Sequence, residues 1–200
     1  MKIVGVTGGI GSGKSVICKV LEKLGYPVFY SDYVAKELIQ TDPIIIQELT
    51  NLIGGDLYQN GFQKHILAQK LFNNTLIKDK VNQIVHPRVR LAFEIWTADQ
   101  NSPIVFNEAA ILFETGMYKK YDATILVTAP EAIKIKRVTF RDNLTEEAVQ
   151  ARMDNQWSDE DKLKLTDYVI VNDNKLPVLP QIDRVLSKIL GNNFKKVNNF

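Results

Sequence analysis

Apolar residues along this chain follow two rhythms. Short continuous runs of β-branched and aromatic residues, bounded by turn or cap residues, fall at 3–7, 27–30, 103–106, 123–128 and 168–172 and predict five strands. Most of these runs do not alternate polar with apolar, as expected of strands covered on both faces of a parallel sheet. Between them the spacing changes to three and four. Ile17, Val20, Leu21 and Leu24 form one such stripe, stopped by Gly25 and Pro27. Thr41-Asp42-Pro43 reads as a helix cap with a first-turn proline, and Gly54-Gly55 closes that helix. The span 64–100 is helical nearly throughout, with an interruption expected at His86-Pro87, and Thr145-Glu146-Glu147 opens a further helix with a cap and an acidic first turn.

Strand alternating with helix points to an α/β sandwich with right-handed crossovers. Two crossovers, 32–102 and about 130–166, far exceed the usual minimum of ~10–12 residues and are the places for inserted helical subdomains. The Asn- and Lys-rich end, 191–200, reads as a frayed tail.

Composition narrows the class. At 200 residues, 45% apolar and 24% charged, the chain is an ordinary globular one, long enough to need no covalent staple. Its one cysteine, Cys18, excludes an internal disulfide and a cysteine zinc site, fits a reducing cytosol, and is read as a small core residue. A net charge of +2 makes no case for nucleic acid or a membrane surface. No apolar run approaches the ~20 residues of a bilayer span, and the start of the chain lacks the marks of a signal peptide. A cytoplasmic location is expected.

The strongest chemical signal is Gly8-Gly9-Ile10-Gly11-Ser12-Gly13-Lys14-Ser15, which fits G-x-x-x-x-G-K-[ST] at every fixed position. Glycines let successive backbone N–H groups converge on phosphate oxygens, and the helix that follows adds its positive end. Lys14 can reach the β- and γ-phosphates, and the Ser15 hydroxyl can ligate Mg²⁺. The motifs of a guanine-reading switch are missing; Asn174-Lys175-Leu176-Pro177 comes nearest and lacks the acidic residue.

After the second strand stands Ser31-Asp32. Ligands of open parallel sheets bind beyond the carboxyl ends of the strands, so Asp32 is read as the carboxylate that orients an attacking hydroxyl. The competing reading makes it the N-cap of a helix over 33–39. Arg137 and Arg141, four apart in the stretch 132–142, share a helix face, and Arg152 follows on the next helix. Such arginines on a mobile segment neutralise a transferring phosphoryl group; the alternative is a solvated basic face. His65 is read as surface, His86 as either a helix-end residue or a ligand, and Trp96 and Trp157 as core or pocket.

In order along the chain, the loop from Thr7 to Ser15, Asp32, His86-Pro87, Ile111-Leu112-Phe113-Glu114, Arg137-Val138-Thr139-Phe140-Arg141-Asp142, Ala151-Arg152-Met153-Asp154-Asn155-Gln156-Trp157 and Asp167-Tyr168-Val169-Ile170-Val171-Asn172-Asp173 resemble the dephospho-coenzyme A kinase family. The resemblance implies a P-loop NTPase-type three-layer sandwich on a five-stranded parallel sheet. Its parts would be a nucleotide core (1–31, 103–130 and 166–190), a helical acceptor subdomain (32–102) and a helical lid (131–165). It implies ATP and dephospho-coenzyme A as substrates, Mg²⁺, no nucleic acid or membrane, and a monomer or weak homo-oligomer. By position, Gly9, Gly11, Ser12, Gly13, Lys14, Ser15 and Val16 would bind ATP phosphates, with Asn172 near the adenine. Asp32 would be the base, His86, Arg88, Phe113 and Arg152 would border the acceptor, and Arg137 and Arg141 would belong to the lid. Two departures stand out. Tyr30 replaces a second acidic residue two before the base. Glu108-Ala109-Ala110 replaces Asp-Val-Pro, leaving open whether Glu108 reaches Mg²⁺ through water or only caps a turn. A nucleoside or nucleoside-monophosphate kinase and a non-catalytic nucleotide-binding module are the rival readings.

Overall fold

The computed structural model describes residues 1–72 and 74–191, apart from the Phe72 side chain. They form two compact units: Met1–Phe29 with the chain from Gln100 onward, and Tyr30–Asp99.

The first unit is built on β1 (Lys2–Thr7), β2 (Val28–Tyr30), which runs up to the junction, β3 (Ile104–Glu108), β4 (Ala123–Thr128) and β5 (Tyr168–Val171). Their order is β2-β3-β1-β4-β5. Parallel ladders set Val4 opposite Phe106 on one side and Ala123 on the other, and Ile125 opposite Tyr168. Consecutive residues of a strand face opposite ways. Because Ile104, Val105 and Phe106 are all fully buried, as are Leu126 and Val127, the sheet is covered on both faces. The strand reading ends β3 at Phe106, where polarity begins. The structure carries it on through buried Asn107 and Glu108, whose backbones lie opposite Gly5 and Val6.

α1 (Lys14–Lys23) buries Ile17 and Leu21 of its stripe together with Cys18, while Val20 and, just past the helix, Leu24 are half-buried. α6 (Glu131–Asp142), α7 (Glu146–Met153) and α8 (Asp159–Leu163) occupy the second long crossover, and α9 (Val178–Leu190) follows β5. Thr145 caps α7, its Oγ1 accepting the Ala148 N–H at 3.3 Å.

The second unit holds α2 (Ser31–Thr41), α3 (Pro43–Ile53), α4 (Lys64–Phe72) and α5 (Thr75–Ala98) around Ile45, Leu49, Leu57, Leu67, Val81, Val85, Val89 and Phe93. The interruption expected at His86-Pro87 does not occur; α5 runs through Pro87. Proline has no N–H for the Gln83 carbonyl, but the buried stripe Val81, Val85, Val89, Phe93 and Thr97 continues in register on both sides and holds the helix. The break lies earlier, at Asn74, whose Oδ1 accepts the Ile77 N–H at 3.0 Å and caps α5.

Asp42 carries an unusual share of this unit. Oδ1 accepts the N–H groups of Ile44 (2.9 Å) and Ile45 (3.1 Å), capping α3. Oδ2 lies 2.7 Å from Arg88 Nη2 and 2.8 Å from Nε, tying α3 to α5. Burial alone pushes this carboxyl up, but the Arg88 guanidinium and the two amides outweigh it and hold it below its usual range. Asp42→Ala is expected to cost about 2–3 kcal/mol, a lost cap plus a lost charged hydrogen bond, read as a lower denaturation midpoint. The folded carboxyl titrates below the unfolded one, so its contribution is complete above roughly pH 4 and disappears as pH falls through the folded value. The stability gap between wild type and Asp42→Asn should therefore persist at neutral pH and close in acid. A pH-independent gap would contradict this assignment.

Candidate active site

The loop Gly8–Ser15 connects β1 to α1, and two of its glycines are required by geometry. Gly11 has φ +78°, and a Cβ there would stand 2.5 Å from the Lys134 carbonyl oxygen; Gly13 has φ +93°, and a Cβ would overlap the Asn172 amide. Ser12 N–H donates to the Gly9 carbonyl at 3.1 Å. The Ser12 hydroxyl is buried and has no hydrogen-bond partner among the described residues. Lys14 Nζ donates to the Gly8 carbonyl at 2.8 Å and lies 4.0 Å from Glu108 Oε1, with both side chains almost fully enclosed. Ser15 is the second residue of α1, and both it and Val16 are exposed. The ammonium thus already sits at the loop, and Glu108 sits with it.

Carbonyls on the other side of the loop are braced. Arg137 Nη1 donates to the carbonyls of Gly11 (3.2 Å) and Ser12 (3.3 Å), and Nη2 donates to the Asn172 carbonyl (2.9 Å) and Asn174 Oδ1 (2.6 Å). Asn172 Nδ2 donates to the Ser12 carbonyl at 3.0 Å. Arg137 and Asn172, chosen separately from sequence, therefore meet on the loop. Arg141 does not join them. Its fork grips Asp142 at 2.7 and 2.9 Å, Arg152 reaches the same carboxylate at 3.2 Å, and both arginine side chains are more than half exposed. These pairings hold the Asp142 carboxyl low.

The sequence reading missed a second group at the loop. Gln156 Oε1 accepts the Ile10 N–H at 3.0 Å. Lys134, buried in α6, lies 3.0 Å from Asp159 Oδ2, which also accepts the Thr128 hydroxyl. With Gly9 and half-exposed Trp157 they line a cleft of about 320 Å³. The available signal was Lys134, one turn before Arg137 and Val138 on the inward face of α6.

In the helical unit, Asp32 is half-buried in the first turn of α2, which begins at Ser31; Tyr30 holds the N-cap position assigned to Asp32 by the competing reading. His86 lies mid-helix in α5, where burial first and the Arg90 charge second lower its pKa. Arg88 is engaged by Asp42. Trp96 stacks on Phe93 at 6.1 Å, and His65 is exposed. In the sheet unit, Phe113 is 2% exposed and packs on Tyr118 at 5.1 Å, so its ring is shut in the core. Cys18 is fully buried; burial first, and the nearby Glu108 carboxylate second, push its thiol far above the ordinary range, leaving it inert at neutral pH. Among the described residues no helix is long and apolar enough to cross a membrane.

The family described as Dephospho-CoA kinase matches residues 2–177. The chain is 40% identical over 181 residues to "Dephospho-CoA kinase" of Bacteroides fragilis (strain YCH46), covering 90% of this chain and 88% of the relative. It is 38% identical over 191 residues to that of Porphyromonas gingivalis, covering 94% and 95%. The solved dephospho-CoA kinase from Campylobacter jejuni superposes with a TM-score of 0.69 at 25% identity, over 96% of this chain and 98% of that one. A phosphate loop on a parallel sheet of this order and matches of this length agree: the chain belongs to the dephospho-CoA kinase family and is a phosphotransferase with an alcohol acceptor.

Proposed function

We propose that the chain transfers the γ-phosphoryl group of ATP to the ribose 3′-hydroxyl of dephospho-coenzyme A, giving coenzyme A and ADP, the last step of coenzyme A synthesis. The observation that carries the reading is the loop Gly8–Ser15 with the Lys14 ammonium held 2.8 Å from the Gly8 carbonyl. An oxygen–phosphorus bond forms from the 3′-hydroxyl as the bond from the γ-phosphorus to the β–γ bridging oxygen breaks. The hydroxyl proton passes to Asp32 and then to water. The transition state is loose, so most of what it asks of the protein is positioning and charge.

Roles divide along the chain. Gly9, Gly11, Ser12, Gly13, Lys14, Ser15 and Val16 bind the ATP phosphates, and Asn172 borders the adenine. Residues 32–102 receive the acceptor, with Asp32 and His86 facing it, while 131–165 acts as a lid. Phe113, shut in the core, and Arg88, held by Asp42, serve structure instead. Arg137 supports the loop, and Arg141 releases Asp142 to meet the γ-phosphate. Among the described residues no cluster of three or more His, Cys, Asp or Glu could cage a metal. Mg²⁺ characteristically binds through one or two protein groups plus substrate phosphates and water. Ser15 and the enclosed Glu108 beside Lys14 fit that demand. Mg²⁺ supplies charge neutralisation on the phosphates when bound. The reaction suits a cytoplasmic enzyme without membrane or nucleic acid, and a monomer or weak homo-oligomer suffices for it.

Mass analysis of the product formed from ATP and dephospho-coenzyme A tests the reading. One added phosphoryl group at the 3′-oxygen is expected. An unchanged acceptor, with nucleosides or nucleoside monophosphates phosphorylated instead, would overturn it.

A further inference from the structure

Lys162 is the most deeply buried charged side chain among the described residues, and the reaction does not use it. Its side chain has zero exposure, and its ammonium lies 3.2 Å from Glu114 Oε1, out of line for a hydrogen bond, so the attraction is ionic. The same oxygen accepts the Trp157 N–H at 3.1 Å, while Oε2 is buried without a hydrogen-bond partner. One carboxylate therefore holds both the approach to α8 and a residue near its far end. Between these anchors Ser158 caps α8 by accepting the Asp161 N–H at 3.1 Å, and Asp159 is taken by Lys134 and Thr128. The residue just before the clamped stretch is Gln156, which accepts the Ile10 N–H of the phosphate loop.

We propose that Glu114, paired with Lys162, is a positioning residue of the phosphate loop: it clamps the 157–162 segment so that Gln156 fixes the Gly9–Ile10 peptide. Two apolar side chains would fill this space without the cost of burying charges. What the ion pair adds is a defined location for a short helix with little core of its own. Fixing Ile10 orients the peptides that lead into Gly11–Val16, so the clamp acts on ATP binding, before chemistry. It rests on the ATP-kinase reading, but the Ile10 contact exists without nucleotide and can be tested apart from it.

Three variants separate position from packing: Glu114→Gln, the double variant Glu114→Gln with Lys162→Met, and Gln156→Ala. Each is read by thermal midpoint, by amide exchange of residues 9–12 without nucleotide, and by steady-state kinetics. Glu114→Gln is expected to lower the midpoint and raise the KM for ATP about tenfold, mid-range for coupled neighbours, with kcat much less affected. The double variant removes the uncompensated ammonium and recovers the midpoint, yet keeps the raised KM and the faster Ile10 exchange. Gln156→Ala reproduces both at a wild-type midpoint. Should Glu114→Gln fail to fold, the double variant carries the test. Wild-type Ile10 exchange in the double variant, or a loss of kcat at unchanged KM, would overturn the clamp. Inactive wild type with Ile10 exchange responding as expected would count against the kinase reading alone.

Discussion

Lys14→Ala is expected to lower turnover by about 10²–10³, the range for removing one preorganised electrostatic group from a site, while the protein remains folded. The fold expectation comes from where the residue sits. α1 is anchored by buried Ile17, Cys18 and Leu21, and alanine is at least as good a helix former as lysine in its first turn. The activity expectation comes from the ammonium, which is enclosed at the loop by the Gly8 carbonyl and Glu108. In the proposed reaction it would meet the β- and γ-phosphates from an enclosed position, and charge developing on the transferring group would lose that partner in the variant. Lys14→Arg is expected to recover only part of the loss, because a planar fork does not replace a compact ammonium. Saturating ATP in a coupled ADP-release assay, beside a circular-dichroism melt, distinguishes these effects. Full turnover in Lys14→Ala with an ordinary melt would end the kinase proposal.

What could be read in advance was what local chemistry dictates. The loop, its glycines and its lysine are legible because each residue type answers a requirement within eight positions. The strands are legible because parallel strands bury both faces and so read as unbroken apolar runs. Legibility fails where distant partners decide. Arg137 and Arg141 have the spacing of one helix face, yet Arg137 turns to loop carbonyls while Arg141, at the helix end, grips its neighbour Asp142. Arg88 is claimed by Asp42, 46 residues away in sequence. Glu114 and Lys162 are ordinary charged residues until the fold brings them together. Pro87 misleads in the opposite direction, since a buried stripe on both sides outweighs its missing donor.

Asp32→Asn should lower turnover by about 10²–10⁴, the usual contribution of a general base, and its interpretation depends on separating two roles of one carboxylate. In the first turn of α2 a negative charge is favoured by the helix dipole, an effect of about 0.3–1 kcal/mol. Asparagine gives up that charge but keeps an acceptor of nearly the same shape, so the dipole's share of stability should move by no more than this small amount. A purely structural Asp32 would thus show a slightly lower melting midpoint and near-normal kinetics. A base that aims the 3′-hydroxyl would show the same small change in the melt together with near-normal KM for both substrates and a collapse of kcat, because the interaction lost is made mainly in the transition state. Because the N-cap position is held by Tyr30 rather than Asp32, the cap contribution that blurs such comparisons is absent from this one. If turnover falls less than tenfold, Asp32 does not orient the acceptor, since general-base contributions run about 10²–10⁴-fold.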